Sequence, residues 1–139
     1  MRIGYPIFCC HIIGVNLLSL ILLGRSEYHS YIRLISCFLQ ERTEYWYPII
    51  EKYGIPLPKV SVRKMKTLWG SCSVNRGIIT LNFYLIKAGI PYIDYVVMHE
   101  LTHFLYPNHS KQFYMFLSNY MPDWKERKQV LDQDIVHGL

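Results

Sequence analysis

The chain has 139 residues, enough for one domain with a modest core and too few for several. A composition that is 51% hydrophobic and 18% charged excludes a disordered chain, and the lack of any internal repeat excludes a solenoid. The formal charge of +5 leaves two readings open for the basic clusters Arg63-Lys64-Lys66 and Lys125-Arg127-Lys128, a solvated surface or attraction to a polyanion such as a nucleotide or nucleic acid.

The first element is an apolar run of seventeen residues, Ile7 to Leu23, interrupted by His11 and Asn16. It sits at the short limit for a spanning helix. It lacks the small-residue cleavage site of a secretory signal. It equally suits a segment buried on the domain, or an effect of where the chain start was chosen. The chain therefore divides into residues 1–25, an apolar segment that is buried, membrane-bound or a signal, and a domain over residues 26–139. Cys9, Cys10, Cys37 and Cys72 form no CxxC pair and fit no zinc-ribbon spacing. Reduced thiols and a cytoplasmic location are the expectation, with membrane association or export as the alternative that the apolar run offers.

Ser26 to Tyr53 reads as helical. Tyr31, Leu34, Ile35 and Phe38, then Tyr45, Trp46, Ile49 and Tyr53, recur at helical spacing. Pro48 splits this region, and Gly54-Ile-Pro-Leu-Pro58 ends it. Lys59 to Met65 alternates imperfectly and is a strand candidate. Trp69-Gly-Ser-Cys-Ser73 and Asn75-Arg-Gly77 carry turn chemistry, and Gly77 to Phe83 is a second, β-branched strand. Two strands around a glycine-containing connection predict a β-hairpin.

Pro91 and Asp94 suit the start of a helix running from Tyr92 to about Tyr106. Pro107-Asn108 breaks it, and Ser110 caps a further helix through about Tyr120. Pro122 opens a last helix to about Val136, with Trp124, Val130 and Leu131 facing inward. A helical segment, a hairpin and three helices make an α+β domain.

The third of these elements carries the chemistry, in His99-Glu100-Leu-Thr-His103. On a helix the two histidines are about 40° apart, so both imidazoles reach one ion, while Glu100 is rotated by about 100° and lies beside it. Two metal ligands with an adjacent base is the physical content of HExxH. A hydrolytic zinc needs a third ligand and an open position. His109 is the candidate, because Pro107-Asn108 can turn the chain back toward the ion. The gap of five residues equals that of the metzincins, but Tyr106 stands where their turn glycine stands, so that label does not fit. Val96, Val97, Leu101, Phe104 and Leu105 can bury the other side of the helix. Were His109 not a ligand, Asp94 and Asp123 would be the first replacements to consider.

The succession WGSCS, GIITLN, IDYVVMHELTH, NHSKQF and MPDWKERKQVL resembles the YgjP-like metal-dependent hydrolases, zincin-type proteins regarded as metallopeptidases. The resemblance covers roughly Ile55 to Leu131. It implies a small zincin-like domain, zinc ligands at His99, His103 and His109, and Glu100 as the catalytic carboxylate. Leu68 replaces the family's usual arginine, Phe113-Tyr114 replaces an aromatic pair with tryptophan, and the usual β-rich N-terminal region is replaced by the apolar run and one helical segment.

The expected activity is zinc-dependent hydrolysis of a peptide or protein, with Zn2+ acidifying water and Glu100 moving its proton. Tyr106, Asn108 and Tyr114 are near enough to be weighed as oxyanion donors, each with a structural role as the ordinary reading. The Gly77–Phe83 strand is either core or the edge that an extended peptide joins. Cys72 reads as structural, and Met121 before Pro122 as a gap filler more than a Met-turn. Hydrolysis of a nucleotide phosphoanhydride is a second reading, and a shortened, inactive zinc-binding or interaction domain a third.

Overall fold

The computed structural model describes residues 25–136. The apolar run at 7–23 lies outside them. Among the described residues no helix is long and apolar enough to cross a membrane.

Helix α1 spans Arg25–Trp46 and the short α2 spans Pro48–Glu51. Pro48 makes the split, since a proline inside a helix removes one backbone donor and suits the first position of a new one. Ile35, Phe38, Leu39 and Ile50 form the buried stripe of this segment. Leu34, Tyr45 and Tyr53, which share its periodicity, are exposed instead.

Three strands follow, β1 (Lys59–Arg63), β2 (Gly70–Ser73) and β3 (Ile78–Asn82), arranged in the order β1-β3-β2. Here the structure departs from the expected hairpin. The two predicted strands do pair, but in parallel, with Val60 beside Ile79 and Val62 beside Leu81. The hairpin is made by β2 and β3, with Ser71 opposite Thr80. The WGSCS stretch, expected as a turn, supplies the extra strand. Gly77, at φ +62°, closes this hairpin by donating its N–H to the Val74 carbonyl. That left-handed backbone favours glycine. β3 is thus the central strand and not a free edge. Its Ile79 and Leu81 are fully buried at alternate positions, as a strand with one face under helices requires.

The covering layer is α1 and α3 (Ile90–Thr102), which pack on each other and on the sheet. Arg42 of α1 grips Asp94 of α3 through two parallel hydrogen bonds of 2.8 Å, both residues buried. Helices α4 (Lys111–Tyr120) and α5 (Trp124–Val136) then wrap the far side of α3. Leu131 of α5 is buried as expected and Trp124 is half-buried, but Val130 is exposed. α3 is therefore held on all sides, and every residue from Ile93 to Met98 is buried. A helix so enclosed can keep side chains within the narrow tolerance a reactive site needs.

Candidate metal centre

His99 and His103 project from the last turn of α3, where His103 is the C-cap. The turn is tightened by hydrogen bonds from the Phe104, Leu105 and Tyr106 N–H groups back to the Leu101 and Thr102 carbonyls. Pro107-Asn108 then reverses the chain, and the Ser110 N–H donates to the Asn108 carbonyl at 2.7 Å. Ser110 caps α4, its hydroxyl accepting from the Phe113 N–H at 3.3 Å. These local devices return His109 to α3. Its Nε2 lies 2.9 Å from His99 Nε2, and the ring nitrogens of His99, His103 and His109 lie within 4.8 Å of one another.

Phe113 is the platform beneath them. Its ring centroid is 4.9, 4.8 and 4.9 Å from those of His99, His103 and His109, and the residue is wholly buried. Tyr114 lies against the other side of His109 and stacks on Trp124 at 4.8 Å. The imidazoles are therefore fixed by packing. Met121 is a buried core residue at the end of α4.

Electrostatics prepare two of these rings, His99 and His103, to bind a cation. Burial first, then the neighbouring His103, His109 and Lys128, push His99 down to about 3. Burial also lowers His103. Both are neutral at physiological pH, with lone pairs available. His103 Nδ1 donates to the Tyr106 carbonyl at 3.2 Å, which directs its Nε2 to the cluster. His99 Nδ1 is buried without a partner. Three imidazoles with no thiolate or carboxylate suit a divalent ion of borderline softness that retains an open position. The residues present thus fit a catalytic metal. Asp94 and Asp123 are not substitutes for His109. Asp94 is committed to Arg42 and Asp123 to Arg127.

Glu100 lies between the triad and the sheet, 5% exposed, and burial raises its carboxyl to about 8. A Cβ on Gly70 would stand 2.7 Å from Glu100 Oε1 and 2.9 Å from Val96 Cγ1. Only glycine lets β2 come this close to the carboxylate. Cys72, also on β2, has its thiol pushed up to about 12 by burial and by Glu100, so it stays protonated and structural.

A cleft of about 320 Å³ opens over the centre. Thr67 to Gly70 form one wall, Lys128, Leu131 and Asp132 of α5 the other, and His99, Glu100 and Tyr95 line its base. Of the three side chains weighed as oxyanion donors, only Tyr114 lines this cleft. The Tyr106 ring packs on Phe116, and Asn108 is exposed on the turn.

The first wall is braced by residues that sequence reasoning passed over. Asn82 is buried, and its amide donates to the Met65 and Leu68 carbonyls at 2.9 and 2.8 Å. Its side-chain oxygen accepts from the Tyr84 N–H at 3.1 Å. Trp69 Nε1 donates across the cleft's end to the Leu131 carbonyl at 3.0 Å. The one signal for Asn82 was an amide closing a short β-branched strand.

A family model described as YgjP-like, metallopeptidase domain, matches residues 25–134. The chain belongs to the YgjP-like metallopeptidase family. Membership makes this YgjP-like protein a metal-dependent hydrolase, with a divalent metal and with peptides or proteins as the family's cofactor and substrates. Among solved structures it is similar to the metallopeptidase zymogen abylysin of Pyrococcus abyssi, with a TM-score of 0.60 and 23% identity over 67% of this chain and 90% of that one. The metallopeptidase zymogen jannalysin of Methanocaldococcus jannaschii gives a TM-score of 0.56 and 23% identity over 68% and 94%. At such identities the likeness is one of fold. No curated protein is significantly similar to the chain.

Proposed function

We propose that this chain is a zinc-dependent peptidase in which His99, His103 and His109 hold the metal and Glu100 is the catalytic carboxylate. The carrying observation is the gathering of the three ring nitrogens within 4.8 Å beside a buried glutamate on an open cleft. The metal, when bound, supplies polarisation of the scissile carbonyl and acidification of water. Glu100 takes the proton of the attacking water and passes it to the leaving nitrogen. We assign Tyr114, which lines the cleft beside His109, as the donor of a hydrogen bond to the developing oxyanion. The edge that receives an extended peptide is β2, because β3 is central and β2 runs past Glu100.

The phosphoanhydride reading has less support. A triphosphate needs several cations around it. Lys128 is the one cation lining the cleft among the described residues, and it is paired with Asp132.

Elemental analysis of purified wild type and His109→Ala tests the ligand set. About one zinc per chain is expected in wild type, and a loss of affinity of at least about 100-fold in the variant. Equal metal content in the two would remove His109 from the site. Casein or peptide cleavage by the zinc-loaded wild type tests the activity.

Gly70→Ala provides a separate check on the placement of Glu100. The new methyl group meets Glu100 Oε1 and the buried Val96 Cγ1, so the carboxylate is displaced and β2 must also ease away from α3, at some cost in stability. Turnover is expected to fall by more than about tenfold, with zinc content retained and KM little changed. Unaltered kcat in a folded variant would show that the close approach has no bearing on the chemistry.

A further inference from the structure

The charge of the chain is segregated. None of its ten acidic residues lies between Glu51 and Asp94, a stretch that carries seven cations: Lys52, Lys59, Arg63, Lys64, Lys66, Arg76 and Lys87. The rest of the chain, eight cations against ten acids, is net negative. The acid-free stretch is the entire sheet with its connections, and so includes the edge strand β2 and the cleft wall from Thr67 to Gly70.

The three-dimensional arrangement sharpens this. All seven cations are exposed, and among the described residues none of them is in an ion pair. Their contacts are neutral. Lys52 donates to the Tyr120 hydroxyl, Lys64 lies over the Tyr28 and Phe83 rings, and Lys87 lies over Tyr84. The second basic cluster behaves differently, since Arg127 is paired with Asp123 and Lys128 with Asp132. The uncompensated positive charge therefore belongs to the sheet and its connections, with Lys59 and Arg63 on β1, at the edge opposite β2. Two of these cations bracket β2. Lys66 immediately precedes cleft-lining Thr67, and Arg76 ends the short 3-10 turn after Ser73. Among the described residues, the charged ones lining the cleft are Glu100 and the mutually paired Lys128 and Asp132.

We propose that this site selects peptide segments with acidic residues on both flanks of the scissile bond, drawn to Lys66 at one end of β2 and Arg76 at the other. The proposal rests on the peptidase reading and names its substrate class. A peptide laid along β2 advances about 3.3 Å per residue, which places the acidic residues about three to six positions from the bond that is cut. The bond itself lies in a neutral environment. Long-range attraction of this kind raises encounter and binding, not the chemical step. A nucleic acid is a weaker match, because Lys66 and Arg76 stand toward the two ends of a peptide-pairing strand edge.

The test uses the zinc-loaded full chain and three fluorogenic peptides of one core sequence, with neutral, acidic or basic flanks. The acidic peptide is expected to exceed the neutral one in kcat/KM by roughly tenfold at low ionic strength, through KM, and the basic one to fall below it. The advantage shrinks in 0.5 M salt, a concentration at which the screening length is only about 4 Å. In the double variant Lys66→Ser, Arg76→Ser the acidic-to-neutral ratio approaches one, whereas Arg33→Ser, which removes a cation from α1, keeps it. Equal cleavage of acidic and neutral peptides, or a ratio that survives the double variant, overturns the proposal while leaving the peptidase reading intact. Failure to cleave any of the three overturns both. Loss of the ratio upon adding an unrelated acidic protein, but not a DNA duplex, supports a peptide-selective surface, and the reverse overturns it in favour of nucleic acid.

Discussion

Glu100→Gln is expected to keep zinc and lose turnover by about 10²- to 10⁴-fold, the range that a positioned acid–base group contributes. The carboxylate stands beside the three ring nitrogens and not among them, so its loss leaves the ligand set whole. Glutamine fills the same space under Gly70 and Val96 but neither accepts nor releases a proton. Metal content by elemental analysis and kcat on one peptide, measured on the same preparation, separate the two effects. Full activity in the variant would falsify the assignment of Glu100 as the base. The same substitution has a second readout in the metal-free protein. Burial raises the folded-state carboxyl from its ordinary 4.5 to about 8, so between these limits the folded state binds more protons than the unfolded one. Stability from this group is therefore full below about pH 4.5 and is lost as pH rises through about 8. Chemical denaturation of the metal-free wild type at pH 5 and pH 9 should show that decline. The Gln variant should lack this component, and an identical pH dependence in both proteins would exclude it.

Asp94→Asn is expected to destabilise the domain by about 3–5 kcal/mol, because it removes the carboxylate that accepts two hydrogen bonds from the buried Arg42 guanidinium. That corresponds to a fall in melting temperature of about 12–25 °C for a domain of this size. The pair joins α1 to α3 by two hydrogen bonds of 2.8 Å, and both residues are below a tenth exposed. Replacing both with leucine should recover much of the loss, since desolvating two charges offsets most of what their attraction contributes. Thermal melts of the single and double variants decide the matter. A single variant that melts with wild type would mean the pair contributes nothing to the fold. The site feels the same loss, as Asp94 lies on the helix that carries His99 and Glu100.

The local parts of this molecule were legible in its sequence, and the non-local parts were not. Pro48, Ser110 and the Pro107-Asn108 break each act within a turn of their own position, so the helix boundaries near them follow from residue type. The spacing of His99, His103 and His109 likewise encodes its own geometry, because a helix and one reversal suffice to bring the three together. Strand pairing is different. Val60 and Val62 take Ile79 and Leu81 as partners only because α1 and α3 cover that face, and nothing in either strand declares the direction of pairing. Gly-Ser-Cys-Ser carries no β-branched residue, so β2 exists through its ladder to β3 and the contact of Gly70 with α3. Phe113 escaped notice as the platform because its closeness to three rings depends on how α4 docks. Tyr45 and Tyr53 kept helical spacing yet face solvent, since periodicity reports a repeat and not which side a neighbour takes.

The position of β3 bears on how the chain acquires its shape. The strand that is last in sequence is central in the sheet, flanked by β1 and β2 on either hand. Neither earlier strand has a ladder partner while the chain is still short of residue 78, so both wait with open backbone groups during synthesis. The parallel pairing then closes a loop that joins Lys59 to Ile78, a slower event than hairpin formation between neighbours. Once Asn82 is reached, its side chain can seize the Met65–Leu68 connection as the sheet sets. Helix α3, which carries His99 and Glu100, follows within a few residues. Sheet and reactive groups thus mature together, late, and a nascent chain halted before β3 holds neither.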